Sequence, residues 1–100
     1  MYIRMHVITQ RRLKEFWEEH PTAEPPLRSW YSITSKATWK TFADVRRSFN
    51  SADIAGIYVV FNIGGNNYRL ITKVEYQFGK VFIAHVFTHA EYDRWNASQG

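Results

Sequence analysis

The segment Thr88-His89-Ala90-Glu91-Tyr92-Asp93 brings an imidazole, a phenol and two carboxylates together in one short stretch. Thr88 and Glu91 stand at capping-box spacing, in which a threonine hydroxyl accepts from the third helical amide while the glutamate accepts from the threonine's own N–H. His89 then falls in a first helical turn, where unpaired amides and the helix dipole attract anions. Tyr92 and Asp93 follow at the distances that share a helical face with it. A proton acceptor, a phenol and an orienting carboxylate beside an anion site suit phosphate chemistry. The same residues would equally serve as the wet face of a terminal helix.

A second constellation is Arg69 and Lys73. Strand alternation over Tyr68 to Gln77 sends Tyr68, Leu70, Thr72, Val74 and Tyr76 one way and Arg69, Ile71, Lys73 and Glu75 the other. Two cations on one face of a central strand read either as a solvated face paired with Glu75, or as a concave surface that grips phosphate. In the second reading Arg69 supplies the planar two-pronged donor.

Other motifs are tested by spacing. His85 and His89 would suit zinc if they shared a helix, but His85 falls within a strand, where four residues span roughly 13 Å. Ligands about 2.1 Å from one ion cannot be that far apart, so no metal site is expected. Gly64-Gly65 lacks the Lys-Ser/Thr and the following helix of a nucleotide loop, and reads as a turn. Phe16, Trp17 and Trp30 recur at helical spacing and are expected in the core. Trp39, flanked by Lys36 and Lys40, is the aromatic that would best offer an edge to nucleic acid.

These residues need elements to hold them. Met5 to Ile8 reads as a first strand, and Thr9 as the cap of a helix that runs to about His20 and stops at Pro21. A second helix starts near Thr22, with Pro25 and Pro26 tolerated in its first turn, and points Leu27, Trp30, Tyr31 and Ile33 inward. Ser35 to Trp39 is a connector. Phe42, Val45 and Phe49 mark a short third helical segment, and Asn50 to Asp53 a loop. From Gly56 the period changes: Ile57 to Ile63, Tyr68 to Gln77 and Lys80 to Phe87 form a meander turned at Gly64-Gly65-Asn66-Asn67 and Phe78-Gly79, and a short helix follows from Thr88. The expected class is α+β, a small mostly antiparallel sheet with two N-terminal helices packed on one face and a short C-terminal helix.

One hundred residues, 45% of them hydrophobic and 17% aromatic, suffice for a single domain spanning residues 1–100 with one compact core. The net charge of +4 and isoelectric point near 9.6 favour a polyanionic partner. No cysteine is present, which excludes disulfides and thiolate metal sites and suits a cytoplasmic protein. Neither a signal peptide nor a run of roughly 18 apolar residues is found, so no membrane association is expected.

Three separated motifs occur together in order: Trp39-Lys40-Thr41-Phe42-Ala43-Asp44-Val45, Val60-Phe61-Asn62-Ile63-Gly64-Gly65-Asn66-Asn67-Tyr68-Arg69-Leu70, and Thr88 to Asp93. With these the chain resembles the HigB toxins of the broader RelE-like group over nearly its whole length, Met1 to Arg4 preceding the family's usual start. The resemblance implies a RelE-like fold and a toxin–antitoxin toxin that cleaves messenger RNA, commonly on the ribosome, with no metal or other cofactor. It also implies neutralisation by a HigA-type helix-turn-helix antitoxin. Catalytic roles pass by resemblance to Arg69 and, at a further remove, to His89 and Tyr92. Lys73, Lys40, Trp39, Lys36 and Asn67 would contact RNA, with Asp93 and His85 in support. A competing reading keeps the fold but makes the protein a toxin or RNA-binding module that blocks a ribosomal or protein target without cutting.

Overall fold

The computed structural model describes residues 3–99, so Met1 and Tyr2, half of the stretch ahead of the family's usual start, lie outside it. The order is β1 (His6–Ile8), α1 (Arg11–Glu19), α2 (Glu24–Lys36), α3 (Phe42–Ser48), β2 (Asp53–Ala55), β3 (Tyr58–Ile63), β4 (Tyr68–Glu75), β5 (Lys80–Thr88) and α4 (His89–Gln99). One five-stranded sheet runs β1-β5-β4-β3-β2. Only β1 pairs parallel, to β5, and the other three pairings are antiparallel. The α+β expectation is met.

The core lies between the sheet and α1 to α3. Leu13, Leu27, Trp30 and Val45 from the helices meet Phe61, Leu70, Val81 and Ile83 from the strands. Alternation makes this possible: Leu70 and Val74 face the helices, while Arg69 and Lys73 face the other way. At the upper end of this layer Tyr68 meets Phe16 edge-on at 5.4 Å, and its hydroxyl hydrogen-bonds Thr22. These contacts fix the first residue of β4, and with it the direction in which Arg69 leaves the strand.

Four details depart from the sequence reading. Thr9 is not the cap of α1: its φ of 66° takes the chain through the left-handed region, and Gln10 occupies the cap position. The loop expected at Asn50 to Asp53 ends in an edge strand, β2, too short for its period to register. Ile33 is exposed, and Thr34 takes the buried position on α2. Ile57 is 70% exposed in the β2–β3 turn, so β3 starts one residue later than expected.

The face of the sheet opposite the helices is partly covered by α4. Ile71 and Val60 are fully inside although they belong to neither the helical core nor a turn. On this face lies Trp95, whose ring is 5.5 Å from that of Tyr58 and 5.8 Å from those of His85 and Phe87. No residue of α4 is itself fully buried, so this helix rests on the sheet and does not enter the core.

Candidate active site

Three pieces of backbone converge where β4 begins and β5 ends. Tyr68 pairs with Thr88 and Arg69 with Phe87, so the start of α4 stands directly beside Arg69. The β3–β4 turn at Gly64 to Asn67 closes over both. Gly64 and Gly65 have φ of 61° and 67°, a region that costs glycine little and branched residues much. The carbonyls of this turn then reach two functional groups. Asn66 O and Tyr68 O accept from Arg69 Nη1 at 3.1 and 3.0 Å, and Asn67 O accepts from the His89 amide at 3.2 Å.

The guanidinium of Arg69 is therefore aimed by its own turn. Both bonds use Nη1, which leaves the Nη2–Nε edge as the fork for an incoming phosphate. Its central carbon lies 5.7 Å from the Tyr92 ring centroid, within cation–π range. One helical turn away, His89 Nδ1 and Asp93 Oδ2 are 3.2 Å apart. An Nδ1–H donated to that carboxylate leaves Nε2 as the proton-accepting nitrogen. A phosphate clamp, a phenol and an oriented imidazole thus share one corner of the molecule.

The capping box read from the sequence is present, with Thr88 N–H to Glu91 at 2.8 Å and Glu91 N–H to Thr88 Oγ1 at 3.2 Å. The first of these bonds holds the Glu91 carboxyl below the usual carboxylate range. The anion site expected at this helix N-terminus is mostly spent on internal bonds. Two of the first three helical amides are taken, His89 by Asn67 O and Glu91 by Thr88, so the helix N-terminus offers an anion less than its position suggests. Anion binding falls to the arginine.

The remaining candidates divide. Asn67 is exposed on the turn and stands within the site. His85 is on the same sheet face, stacked on Phe87 at 5.0 Å and 12°. Lys73 shares that face but stands two outward positions further along β4, roughly 13 Å of strand, and its ammonium pairs with Glu75 at 3.4 Å. The structure does not bring it to His89, so the expected cation pair is a single arginine.

Lys36, Trp39 and Lys40 lie at the other end of the sheet. The Ala37 carbonyl accepts from Met5, and the Gly79 carbonyl from His6, which sets this segment beside the beginning of β5, not its end. Trp39 is 3% exposed, stacks with Phe61 at 6.1 Å and donates its indole N–H to Ser48 at 3.0 Å. A ring so committed cannot stack on a base, which overturns its reading as a nucleic-acid edge. The flanking lysines suggested a basic surface, yet the aromatic between them was needed to close the core.

Sequence reasoning missed Trp95 and the carbonyls of Asn66 and Asn67. Trp95 could have been found, because it follows Tyr92 by three residues and must share its helical face. Among the described residues no group of three or more His, Cys, Asp or Glu side chains is placed to hold a metal ion, and no helix is long and apolar enough to cross a membrane.

Burial, and secondarily the charge of Arg12, pushes the His85 imidazole below its ordinary value of 6.5. Arg12 is held there by a 2.7 Å bond to the Ala84 carbonyl, on the residue inserted in β5 where the β4–β5 register shifts. The folded chain binds that proton less tightly than the unfolded chain. Stability is therefore fully present above pH 6.5 and declines as pH falls from there toward the lowered folded value. The Glu91 contribution is lost separately, as pH falls below 4.5. A series of melting temperatures between pH 7.5 and 5 should slope downward for the wild type and flatten for His85→Phe, with equal slopes counting against this assignment.

Comparison with known proteins agrees with the motifs. A family model described as HigB_toxin, RelE-like toxic component of a toxin-antitoxin system, matches residues 23–95. The mRNA interferase toxin HigB of Escherichia coli (strain K12) is 33% identical over 96 residues, covering 93% of this chain and 92% of that protein. The mRNA interferase HigB of Shigella flexneri matches to the same extent. The mRNA interferase HigB of Escherichia coli O6:H1 is 28% identical over 93 residues, 90% of each chain. The matched region takes in all three sequence motifs and the whole corner built around Arg69, and the chain belongs to the HigB toxin family.

Proposed function

We propose that this protein is the toxin of a toxin–antitoxin pair and an endoribonuclease that cuts messenger RNA by intramolecular transesterification, without a metal. The observation that supports this most directly is the corner where the Arg69 fork, the Tyr92 ring and the His89–Asp93 pair meet around one turn. The relatives named mRNA interferase point the same way.

In this reaction the ribose 2′-oxygen attacks the adjacent phosphorus, the P–O2′ bond forms and the P–O5′ bond breaks. The products are a 2′,3′-cyclic phosphate and a 5′-hydroxyl. His89 Nε2 takes the 2′ proton, with Asp93 holding the imidazole in place through Nδ1. Arg69 receives the phosphate and the charge that develops on its oxygens. The Tyr92 phenol lies where it can orient the nucleotide or deliver the proton to the departing 5′-oxygen. Lys73, Asn67 and His85 flank the path of the strand. The neutralising partner is a HigA-type helix-turn-helix antitoxin, and in the cell the message is met on the translating ribosome, while the cleavage chemistry resides in this chain and acts on free RNA as well.

Product chemistry tests this reading. Purified protein incubated with message in chelator should leave 5′-hydroxyl ends that a polynucleotide kinase can label, and cyclic phosphate on the upstream fragment. Cutting abolished by chelator would refute the metal-free route. Growth arrest with intact message would favour a toxin that blocks its target by binding alone.

A further inference from the structure

We propose that Trp95 is a positioning residue for the reaction, setting the roll of α4 on the sheet and thereby the placement of the Tyr92 phenol over the Arg69 guanidinium. The inference rests on the function proposed above.

Helix α4 bears both Tyr92 and His89, yet it is weakly amphipathic and buries no residue completely. Its first turn is tied down at one end by Thr88 and by the Asn67 carbonyl. Those bonds fix where the helix starts but not how it is rolled about its axis. The roll is set by what touches the sheet, and there Trp95 has the ring contacts. Its ring lies 5.5 Å from Tyr58 on β3, 5.8 Å from His85 and 5.8 Å from Phe87 on β5, and 6.0 Å from Tyr92 on its own helix. An indole is large enough to lean on β3 and β5 at once, across the strand that holds Arg69.

Tyr92 precedes Trp95 by three residues, about 60° apart around the helix, so the two rings move together. A roll of about 20° displaces a ring about 6 Å from the axis by about 2 Å. That is enough to take the phenol off a guanidinium now 5.7 Å from its centroid. Misplacement by about 1 Å of a group that orients reacting atoms can cost about 100-fold in rate.

Two readouts test the proposal in the full-length protein. The first needs no catalysis: the Arg69 side-chain protons sit over an aromatic ring and should be shifted upfield by its ring current in a nuclear magnetic resonance spectrum. Trp95→Ala should move those signals toward random-coil positions, and Trp95→Phe should restore most of the shift. The second is the split of kinetic constants on a short RNA. Trp95→Ala should lower kcat by about 100-fold with KM within about threefold, because Arg69 still grips phosphate, and Trp95→Phe should recover most of kcat. Should the alanine variant fold poorly, Trp95→Leu keeps apolar bulk against the sheet without spanning from Tyr58 to Tyr92, and should shift the Arg69 signals in the same way. Arg69 resonances unmoved in these variants, or a loss appearing in KM alone, would overturn the proposal. Failure of the wild type to cut RNA would refute the nuclease reading, while the Arg69 resonances would still decide whether Trp95 places Tyr92.

Discussion

Replacing Arg69 with alanine is expected to lower the rate of RNA cleavage by about 100- to 1,000-fold and to abolish growth arrest on expression. The expectation follows from geometry and charge together. Arg69 is the cation that the β3–β4 turn aims into the corner holding His89 and Tyr92, while Lys73 stands further along β4 and is paired with Glu75. Nor do the α4 amides substitute for it, since two of the first three are engaged in capping and in the bond to Asn67. Losing one preorganised donor to developing negative charge costs about 3–4 kcal/mol of barrier, which is the stated range in rate.

Arg69→Lys separates charge from shape. It retains a cation but loses the planar fork and the guanidinium's contact with the Tyr92 ring. It should therefore stay nearer the alanine variant than the wild type. The measurement is single-turnover cleavage at saturating protein, with thermal melting alongside, because Arg69 also ties the carbonyls of Asn66 and Tyr68. An alanine variant that melts normally and still cuts at wild-type rate would remove Arg69 from the chemistry.

What the sequence made legible, and what it hid, follows from the range of the forces involved. The capping box at Thr88 and Glu91 is a contact over three residues, and it formed as read. Strand alternation put Arg69 outward and Leu70 inward because the period of two is a property of the backbone. The turn at Gly64 and Gly65 needed positive φ, and glycine announced it. The failures all required knowledge of what lay across the fold. Trp39 between two lysines looked like a surface ring, but Ser48 and Phe61 were waiting for it. Lys73 has the same alternation as Arg69, and only the line of α4 over the sheet separates their fates. Trp95 was marked in sequence only by Tyr92 three residues before it, since the other three of its four ring partners come from β3 and β5.

Phe61→Ala should cost about 3–5 kcal/mol of folding stability, the largest single loss expected from a change away from the active corner. Phe61 is 1% exposed on β3, and its ring meets Trp30 at 5.4 Å, Phe49 at 5.2 Å and Trp39 at 6.1 Å. It is the common neighbour of α2, α3 and the connector between them, so no one element can relax into the space left behind. Three aromatic contacts are lost together, two of them edge-to-face geometries worth more than their area alone. A domain of this size has about 5–15 kcal/mol in hand, so the loss approaches the whole of it at the lower end. Urea unfolding followed by tryptophan fluorescence should show the midpoint falling steeply with the slope nearly unchanged. Phe61→Leu, which keeps most of the volume, should lose less than half as much. Arg69 directly adjoins the Leu70 that pairs with Phe61, but the active corner is on the opposite face of the sheet and should keep the Arg69–Tyr92 contact at temperatures where the variant stays folded. Loss of cleavage should therefore track the folded fraction, and inactivity in a fully folded Phe61→Ala protein would show that the aromatic core and the corner are coupled more tightly than their contacts imply.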